Sequence, residues 1–426
     1  MSIEIVGDVD RNMLYCAGSY TKMLTSYVCL SLLAEHYDLP SILDDEHFFD
    51  QISVNSPSRS FLDIFQHLLG GKFTLHDICT YYAGLPYTFD VSDAEIERVD
   101  TGHLFKHHSI LDEETFLSMC RHQITPVYPV RSKFHYSEIS IIFLGYFIEK
   151  AFNTSMESLY QRFIIDKYQL KQSVFSRVMV KDVNYQDLSG RYDYPAIALQ
   201  DHGYFCYSNG YYTTLNDSKI LLEALLTEPV FECMTNLNHA RAASNRLLNG
   251  LTLEIRLADG DVILGYEGLS FSGCNTWAYS RKRQIGYLTF TDNEEEPYQI
   301  IYDQLFGYTS FDKVPEKYDE IYKRFLKSYD FNIAEKDISV EYQGRYHRVK
   351  INDIDLDIVF TVGDRYIIIR NPDEIRYEVI YVNGNYRIKN KDNTHGSKVG
   401  FCTAKSGHHY FYFDGNLYKM IAGIEK

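Results

Sequence analysis

The chain has 426 residues, with 58 Asp and Glu against 42 Lys and Arg, and its formal net charge is −16. A surface of that sign repels nucleic acid and anionic membranes, so we expect neither as a partner. A chain of this length suggests two domains, and no apolar run is long enough to cross a bilayer.

The first predicted elements are a short strand at residues 3–6 and a helix that begins at Ser19. Apolar residues follow at helical spacing, so this helix is expected to bury one long face: Met23, Leu24, Tyr27, Val28, Leu30 and Leu33. Lys22 lies one turn after Ser19 on the same side, where burial would favour a neutral amine that accepts the serine proton. Alone, S-x-x-K is a weak signal, because a capping serine followed by a solvent-facing lysine is the more common explanation of so short a pattern.

Further helices are predicted along the next two hundred residues. Residues 61–69 and 74–81 have short helical patterns, with Thr74 as a candidate N-cap. Longer helices are expected at 139–152 and 215–226, separated by helix and loop over 156–168 and by a polar, turn-rich segment at 176–202.

From Gly250 the periodicity changes to that of strands. Four strands are predicted, followed by a closing helix at 297–306 and a charged helical connector at 308–334; the strands cover 251–257, 262–266, 276–280 and 284–291. Eight more strands follow, and turns such as Asn383-Gly384 favour an antiparallel meander closed into a small barrel. These strands are predicted at 342–349, 356–361, 366–370, 378–382, 386–389, 399–404, 409–413 and 417–421.

Four ordered segments resemble the class C β-lactamase and D-alanyl-D-alanine carboxypeptidase family of serine hydrolases, which includes penicillin-binding-protein-like esterases. They are CAGSYTKMLT at 16–25, FTLHDICTYYAGLP at 73–86, FHYSEI at 134–139 with LGYFIEK at 144–150, and LGYEGL at 264–269. The resemblance implies an α/β (α+β) domain, an antiparallel sheet flanked by helices, at residues 1–307. A connector at 308–334 and an all-β barrel at 335–426, similar to the lipocalin-like domain of many members, complete the expected organisation.

The same resemblance assigns roles to four residues. It implies that Ser19 is the nucleophile, Lys22 its general-base partner and Tyr136 the phenol that passes the proton to the leaving group. The oxyanion hole would consist of the backbone N–H groups of Ser19 and Leu269.

Two positions depart from the family pattern near the expected substrate site, which would also include Glu267 and Gly268. Glu138 replaces the asparagine of Y-x-N, and Tyr266 replaces the lysine or histidine of the third motif. A substrate carboxylate would lose its ion-pair partner and meet repulsion, so we expect poor β-lactamase and carboxypeptidase activity. Alternatively, Glu138 points into solvent and only caps its helix, and the sequence does not decide between the two.

Three functions therefore stay open. The first is a serine hydrolase or acyltransferase acting on a small ester, thioester or amide through an acyl-Ser19 intermediate. The second is a non-catalytic binding or assembly protein. The third is transfer of an acyl group from a carrier protein, for which the basic triplet Arg281-Lys282-Arg283 is the candidate contact, although a solvated turn is the simpler interpretation.

The remaining expectations concern compartment, cofactors and assembly. The start MSIEIVGDVD lacks a basic segment and an apolar core, and the eight cysteines are scattered, so we expect a cytoplasmic protein with reduced thiols. We expect no cofactor and no metal, because His107 and His108 would point apart on a helix and no third ligand lies near them. With a single strand before Ser19, either the sheet is smaller at that edge, or another element or a second chain covers it. An uncovered edge invites pairing with a partner strand, so a homodimer is one expected outcome.

Overall fold

The structure is a computed structural model. It describes residues 1–7, 10–103, 112–181, 183, 201–270, 272–291, 300–329, 333–334, 336–349, 359–370, 374–413 and 415–423. An α/β domain with a seven-stranded sheet comes first, and an antiparallel barrel follows it. Among the helices of the described residues, none is both long and apolar enough to span a membrane.

The seven-stranded sheet contains all four strands predicted after Gly250 and the short strand predicted at the start of the chain. Its order is Ser2–Val6, Ile285–Thr291, Gly273–Ser280, Asp261–Ser270, Glu254–Ala258, Leu248–Asn249 and Arg241–Ala242. Neighbouring strands are antiparallel except the first pair, which is parallel. Because the first strand is parallel to its neighbour, its last residue, Val6, lies opposite Thr289. This is the end of the sheet where Tyr15 packs on Phe290 (ring centroids 4.7 Å apart), just before the first helix.

The edge formed by the first strand is covered by a helix of the same chain. Ile3 donates its backbone N–H to Glu223 (2.9 Å) and accepts a hydrogen bond from Lys219 at its carbonyl. Both side chains belong to the helix Leu215–Leu225. This element occupies edge groups that a partner strand would need, and a homodimer stays a prediction.

The helix Tyr20–Ala34 runs through the centre of the domain. It packs against the sheet strand Asp261–Ser270 and the helices Glu138–Phe152 and Cys206–Asn209. Every residue from Tyr20 to Leu33 is buried, so the expectation of a single buried face is wrong in extent. Its small polar residues are satisfied internally: Thr25 donates to the carbonyl of Tyr207 at 2.7 Å.

The described residues contain further helices. They are Leu39–Leu43, Phe48–Ile52, Ser56–Leu68, Leu75–Cys79, Asp93–Asp100, Glu113–His122, Glu138–Phe152, Met156–Tyr160, Leu215–Leu225 and Pro229–Met234, with a π-helical turn at Gln161–Asp166. The predicted N-cap is confirmed, since Thr74 forms a capping box with Asp77. Three short strands, Tyr15–Cys16, Tyr211–Thr213 and Val174–Phe175, make a small second sheet. Most of the polar segment 176–202 lies outside the described residues.

The connector and the barrel follow the predicted order. A π-helical turn spans Ile300–Leu305 and a helix spans Glu316–Ser328, while residues 297–299 lie outside the described part. All eight predicted barrel strands are present, at Gly344–Arg348, Val359–Val362, Tyr366–Arg370, Glu374–Val382, Asn385–Lys389, His395–Thr403, His409–Phe413 and Asn416–Gly423. The first strand of the meander pairs with the last, which closes the barrel.

The barrel interior is packed with aromatic and aliphatic side chains. Phe411 stacks on Tyr418 with ring centroids 4.5 Å apart, and Phe360 lies 4.4 Å from the same tyrosine ring. The barrel also rests on the α/β domain, where Tyr410 and Leu417 pack against Ile96. All eight cysteines fall within the described residues, and none forms a disulfide.

Candidate active site

Ser19 is the N-cap of the central helix, held against the sheet by two glycines. Gly18 has a φ of +54°, and a Cβ there would lie 2.1 Å from the carbonyl oxygen of Leu269. A Cβ on Gly268 would lie 2.0 Å from the carbonyl oxygen of Ala17. Only glycine permits this approach, which brings the backbone of Leu269 beside the turn that carries Ser19.

A buried amide fastens that turn to the strand. Asn275 donates its side-chain N–H groups to the carbonyl of Ala17 (3.0 Å) and to that of Gly268 (2.9 Å). Sequence reasoning missed this residue, because its partners are far away along the chain.

Lys22 reaches Ser19 as its helical spacing predicts. Its Nζ donates to Ser19 Oγ at 2.8 Å and lies 5.2 Å from the centre of the Tyr136 ring. Lys22 is completely buried, whereas Ser19 and Tyr136 are half-buried. The structure therefore brings together the three side chains that the resemblance assigned to catalysis.

The charge of Lys22 differs from the expectation. Burial lowers the pKa of Lys22, but Tyr136 and Glu138 together outweigh burial and leave that pKa raised. The direction of this shift favours an ammonium at neutral pH, in contrast to the neutral amine predicted from burial alone. The sequence could not show this, because both outweighing groups lie on other segments.

Glu138 supplies the counter-charge. Its Oε1 lies 3.3 Å from Lys22 Nζ, and Asn209 donates an amide N–H to the same oxygen at 3.1 Å. Glu138 is 4% exposed, so the alternative in which it points into solvent is wrong. Ser137 caps the helix instead, accepting from the N–H of Ser140. The buried Lys22–Glu138 pair has no net charge, a feature that sequence reasoning missed.

Tyr266 joins a cluster of phenols in the place where the third motif has a cation. Its hydroxyl lies 3.4 Å from that of Tyr136 and 3.5 Å from that of Tyr81. Burial raises the pKa of Tyr81 and of Tyr266 well above the usual tyrosine value, so both stay protonated at neutral pH. Tyr87 stacks on Tyr136 with ring centroids 6.0 Å apart. Tyr81 and Tyr87 were not predicted, although both flank the Gly84 turn of the second motif.

Glu267 stands apart from this cluster. Successive strand residues face opposite sides of a sheet, so Glu267 lies on the face opposite Tyr266. There its carboxylate accepts from Thr276 at 3.3 Å. Among the described residues no group of His, Cys, Asp and Glu is arranged to hold a metal ion, and His107 and His108 lie outside the described part.

The chain is similar in fold to several solved structures and in sequence to one family model. EstCE1, described as a hydrolase with promiscuous acyltransferase activity, is 18% identical with a TM-score of 0.50, over 68% of this chain and 84% of that one. The octameric penicillin-binding protein homologue from Pyrococcus abyssi is 17% identical (TM-score 0.49), over 96% of this chain and 89% of that one. A class C beta-lactamase mutant is 12% identical (TM-score 0.49), over 71% and 85%. No curated protein matches the sequence significantly. The family model for Beta-lactamase matches residues 4–303, and the chain belongs to that family.

Proposed function

We propose that this protein is a serine hydrolase or acyltransferase that acts on an ester, thioester or amide through an acyl-Ser19 intermediate. The observation that carries the proposal is the 2.8 Å contact between Ser19 Oγ and Lys22 Nζ beside the Tyr136 ring. A hydroxyl at a helix start, a neighbouring amine and a phenol form the constellation that activates a serine nucleophile. The fold shared with EstCE1 is consistent with this chemistry.

The proton route follows from the ammonium state of Lys22. In the proposed acylation step, Ser19 Oγ attacks the acyl carbon while its proton moves to Lys22 and a Lys22 proton moves 3.3 Å to Glu138. The backbone N–H groups of Ser19 and Leu269 would stabilise the oxyanion. Tyr136 then donates its hydroxyl proton to the leaving group and is reprotonated by Lys22, which recovers its proton from Glu138. Water or another acceptor next cleaves the acyl-Ser19 bond.

The same site suggests the substrate class. Because Glu138 is paired with Lys22, its charge is compensated, and repulsion of a substrate carboxylate is weaker than the sequence predicted. The missing cation at Tyr266 remains, so an anionic substrate lacks a charged partner there. We therefore propose neutral acyl donors, with poor turnover of β-lactams and of carboxy-terminal D-alanyl peptides. The barrel is proposed to be the lipocalin-like module that the sequence resemblance predicts.

A labelling experiment tests the proposal. The full chain is incubated with a fluorophosphonate probe and, separately, with a panel of neutral esters and a chromogenic β-lactam. Wild type should be labelled and should hydrolyse esters, Ser19→Ala should do neither, and Ser41→Ala, which alters an exposed serine, should match wild type. Labelling that persists in Ser19→Ala, or a wild type that is neither labelled nor active, would overturn the proposal and favour a binding role.

A further inference from the structure

A hairpin of the barrel contacts the loop that leads to Tyr136. The hairpin consists of strands Asn385–Lys389 and His395–Thr403 with the turn between them. The loop covers residues 126–135, directly before Tyr136, and we call it the tyrosine loop. Two segments more than 250 residues apart in sequence thus meet next to the site.

Two buried side chains of the hairpin bind the start of the tyrosine loop. His395 donates from Nε2 to the carbonyl of Val127 at 2.6 Å, and Arg387 donates to the carbonyl of Pro126 at 3.0 Å. Arg387 is 5% exposed and His395 is 7% exposed, so water competes little for these bonds. Burial lowers the pKa of His395 to about 4, which keeps its ring neutral at physiological pH.

A second set of contacts binds the middle of the loop. Lys133 forms an ion pair with Asp392 in the hairpin turn and donates to Thr394 at 2.9 Å. Asn390 donates to the hydroxyl of Tyr128 at 2.6 Å. Burial raises the pKa of Asp392, but Lys133 and Thr394 outweigh it and hold that pKa well below its usual range. The carboxylate is therefore charged whenever the protein is folded at neutral pH.

The opposite side of the tyrosine loop is tied to the segment that carries Tyr81. The backbone N–H of Arg131 donates to the backbone carbonyl of Tyr82 (2.8 Å), and that of His135 donates to the backbone carbonyl of Tyr81 (2.9 Å). Tyr81 in turn contacts Tyr266 at the phenol cluster. The loop thus lies between the barrel hairpin and the wall of the active site, and Tyr136, the residue after its end, lies beside Lys22.

We propose that the barrel hairpin is a positioning element of the active site, fixing the tyrosine loop so that the Tyr136 phenol stays beside Lys22. The inference rests on the proposed function and goes beyond it, since it makes the second domain part of the catalytic apparatus. Displacing a reacting group by about 1 Å can lower the reaction rate roughly 100-fold. A tyrosine loop anchored on one side only would let Tyr136 move by such a distance and would therefore slow the reaction. Asp392 and His395 are positioning residues in this scheme, because they act through the loop.

The chain offers a matched control at a second contact between barrel and domain. Asp100, at the end of the helix Asp93–Asp100, accepts from His408 at 2.7 Å and from Tyr410 at 2.8 Å. Asp392→Asn and Asp100→Asn therefore remove the same charge from two barrel contacts, of which only the first touches the tyrosine loop.

The experiment compares these variants in the full chain by alkyl ester kinetics and by hydrogen exchange of a peptide covering 126–137. Asp392→Asn should lower kcat by roughly 10-fold or more and raise exchange in that peptide, with little change in KM. Asp100→Asn should keep wild-type rates and exchange there.

The proposal is overturned if both variants lose rate equally, or if Asp392→Asn leaves both the rate and the exchange at wild-type values. Hydrogen exchange does not depend on catalysis, so it tests whether the hairpin positions the loop even if the wild type is inactive. An inactive wild type would separately refute the proposed function. His395→Gln, which removes a different hairpin contact, should reproduce the Asp392→Asn pattern.

Discussion

Replacing Glu138 by glutamine tests the buried ion pair at the centre of the site. Glu138→Gln keeps the size of the side chain and an oxygen acceptor, but it removes the negative charge 3.3 Å from Lys22 Nζ. Two unit charges at that distance attract by about 5 kcal/mol at an effective dielectric constant of about 20. Because Lys22 is completely buried, water cannot replace the lost partner.

The cost to stability has an upper limit that depends on pH. A buried ammonium without a partner can instead lose its proton, which for a lysine with an ordinary pKa of about 10.4 costs about 4.6 kcal/mol at pH 7 and about 1.9 kcal/mol at pH 9. The wild-type pKa of Lys22 is raised, so its stabilising contribution is complete below the unfolded pKa and is lost only as pH rises through the folded pKa. In the variant we expect burial, the largest single influence on Lys22, to prevail over Tyr136 alone and to lower that pKa, so the variant should gain stability as pH rises.

We expect Glu138→Gln to lower the free energy of unfolding by about 3 to 4.6 kcal/mol at pH 7 and by about 2 kcal/mol or less at pH 9. Urea denaturation at both pH values measures this. Glu316→Gln is the control, since Glu316 pairs with Lys323 at 3.2 Å but is 91% exposed, and it should lose less than about 1 kcal/mol. Equal losses in the two variants at pH 7, or a loss in Glu138→Gln that grows with pH, would refute the buried pair.

Two further predictions concern the Tyr136 phenol and two histidines, His135 and His202. Tyr136→Phe should lower the rate of alkyl ester turnover by roughly 100-fold or more, because the alkoxide leaving group no longer receives a proton. Urea denaturation should show a change below about 1 kcal/mol, since the ring is half-buried and its bond to Tyr266 is long (3.4 Å). An unchanged rate of ester turnover would exclude Tyr136 from catalysis. Burial lowers the pKa of His135 and of His202 to about 4, below the ordinary 6.5, so the unfolded chain binds protons that the folded chain does not. The contribution of these two histidines to the free energy of unfolding should be fully present above about pH 6.5. It should fall towards pH 4 by up to about 1.4 kcal/mol per pH unit for each histidine, and His202→Gln should make that fall less steep. Equal urea midpoints at pH 7.5 and pH 5 would contradict this.

Local rules account for the parts of the fold and site that were predictable from the sequence. Three residues of helical separation suffice to place Lys22 beside Ser19, and the observed contact follows from that spacing alone. The barrel strands alternate with period two and are joined by short turns, so each was predictable within its own segment. The strand Tyr366–Arg370 even has its predicted bounds.

Contacts between segments far apart in the chain account for the features that the sequence did not predict. The predicted buried face of the central helix does not include Thr25 and Ser26, but both are buried and bonded to distant segments, Ser26 to Thr252 at 2.8 Å. The ammonium state of Lys22 depends on Glu138, which is 116 positions further along the chain. No pattern within one segment carries that information, because a pKa is set by whichever charges the fold brings near.

The two departures from the family motifs act together in this structure. Glu138 neutralises the charge of Lys22, and Tyr266 contributes a phenol that burial keeps protonated, so the described site offers hydrogen-bond donors but little net positive charge. A neutral donor bonded to a neutral acceptor contributes about 1 kcal/mol, whereas a bond to a charged group contributes about 1.5–3 kcal/mol. A substrate carboxylate gains less here than from a lysine, and it still loses its hydration on entering the site. A neutral acyl group loses less hydration than a carboxylate, so the balance of these two terms supports the proposed neutral substrate.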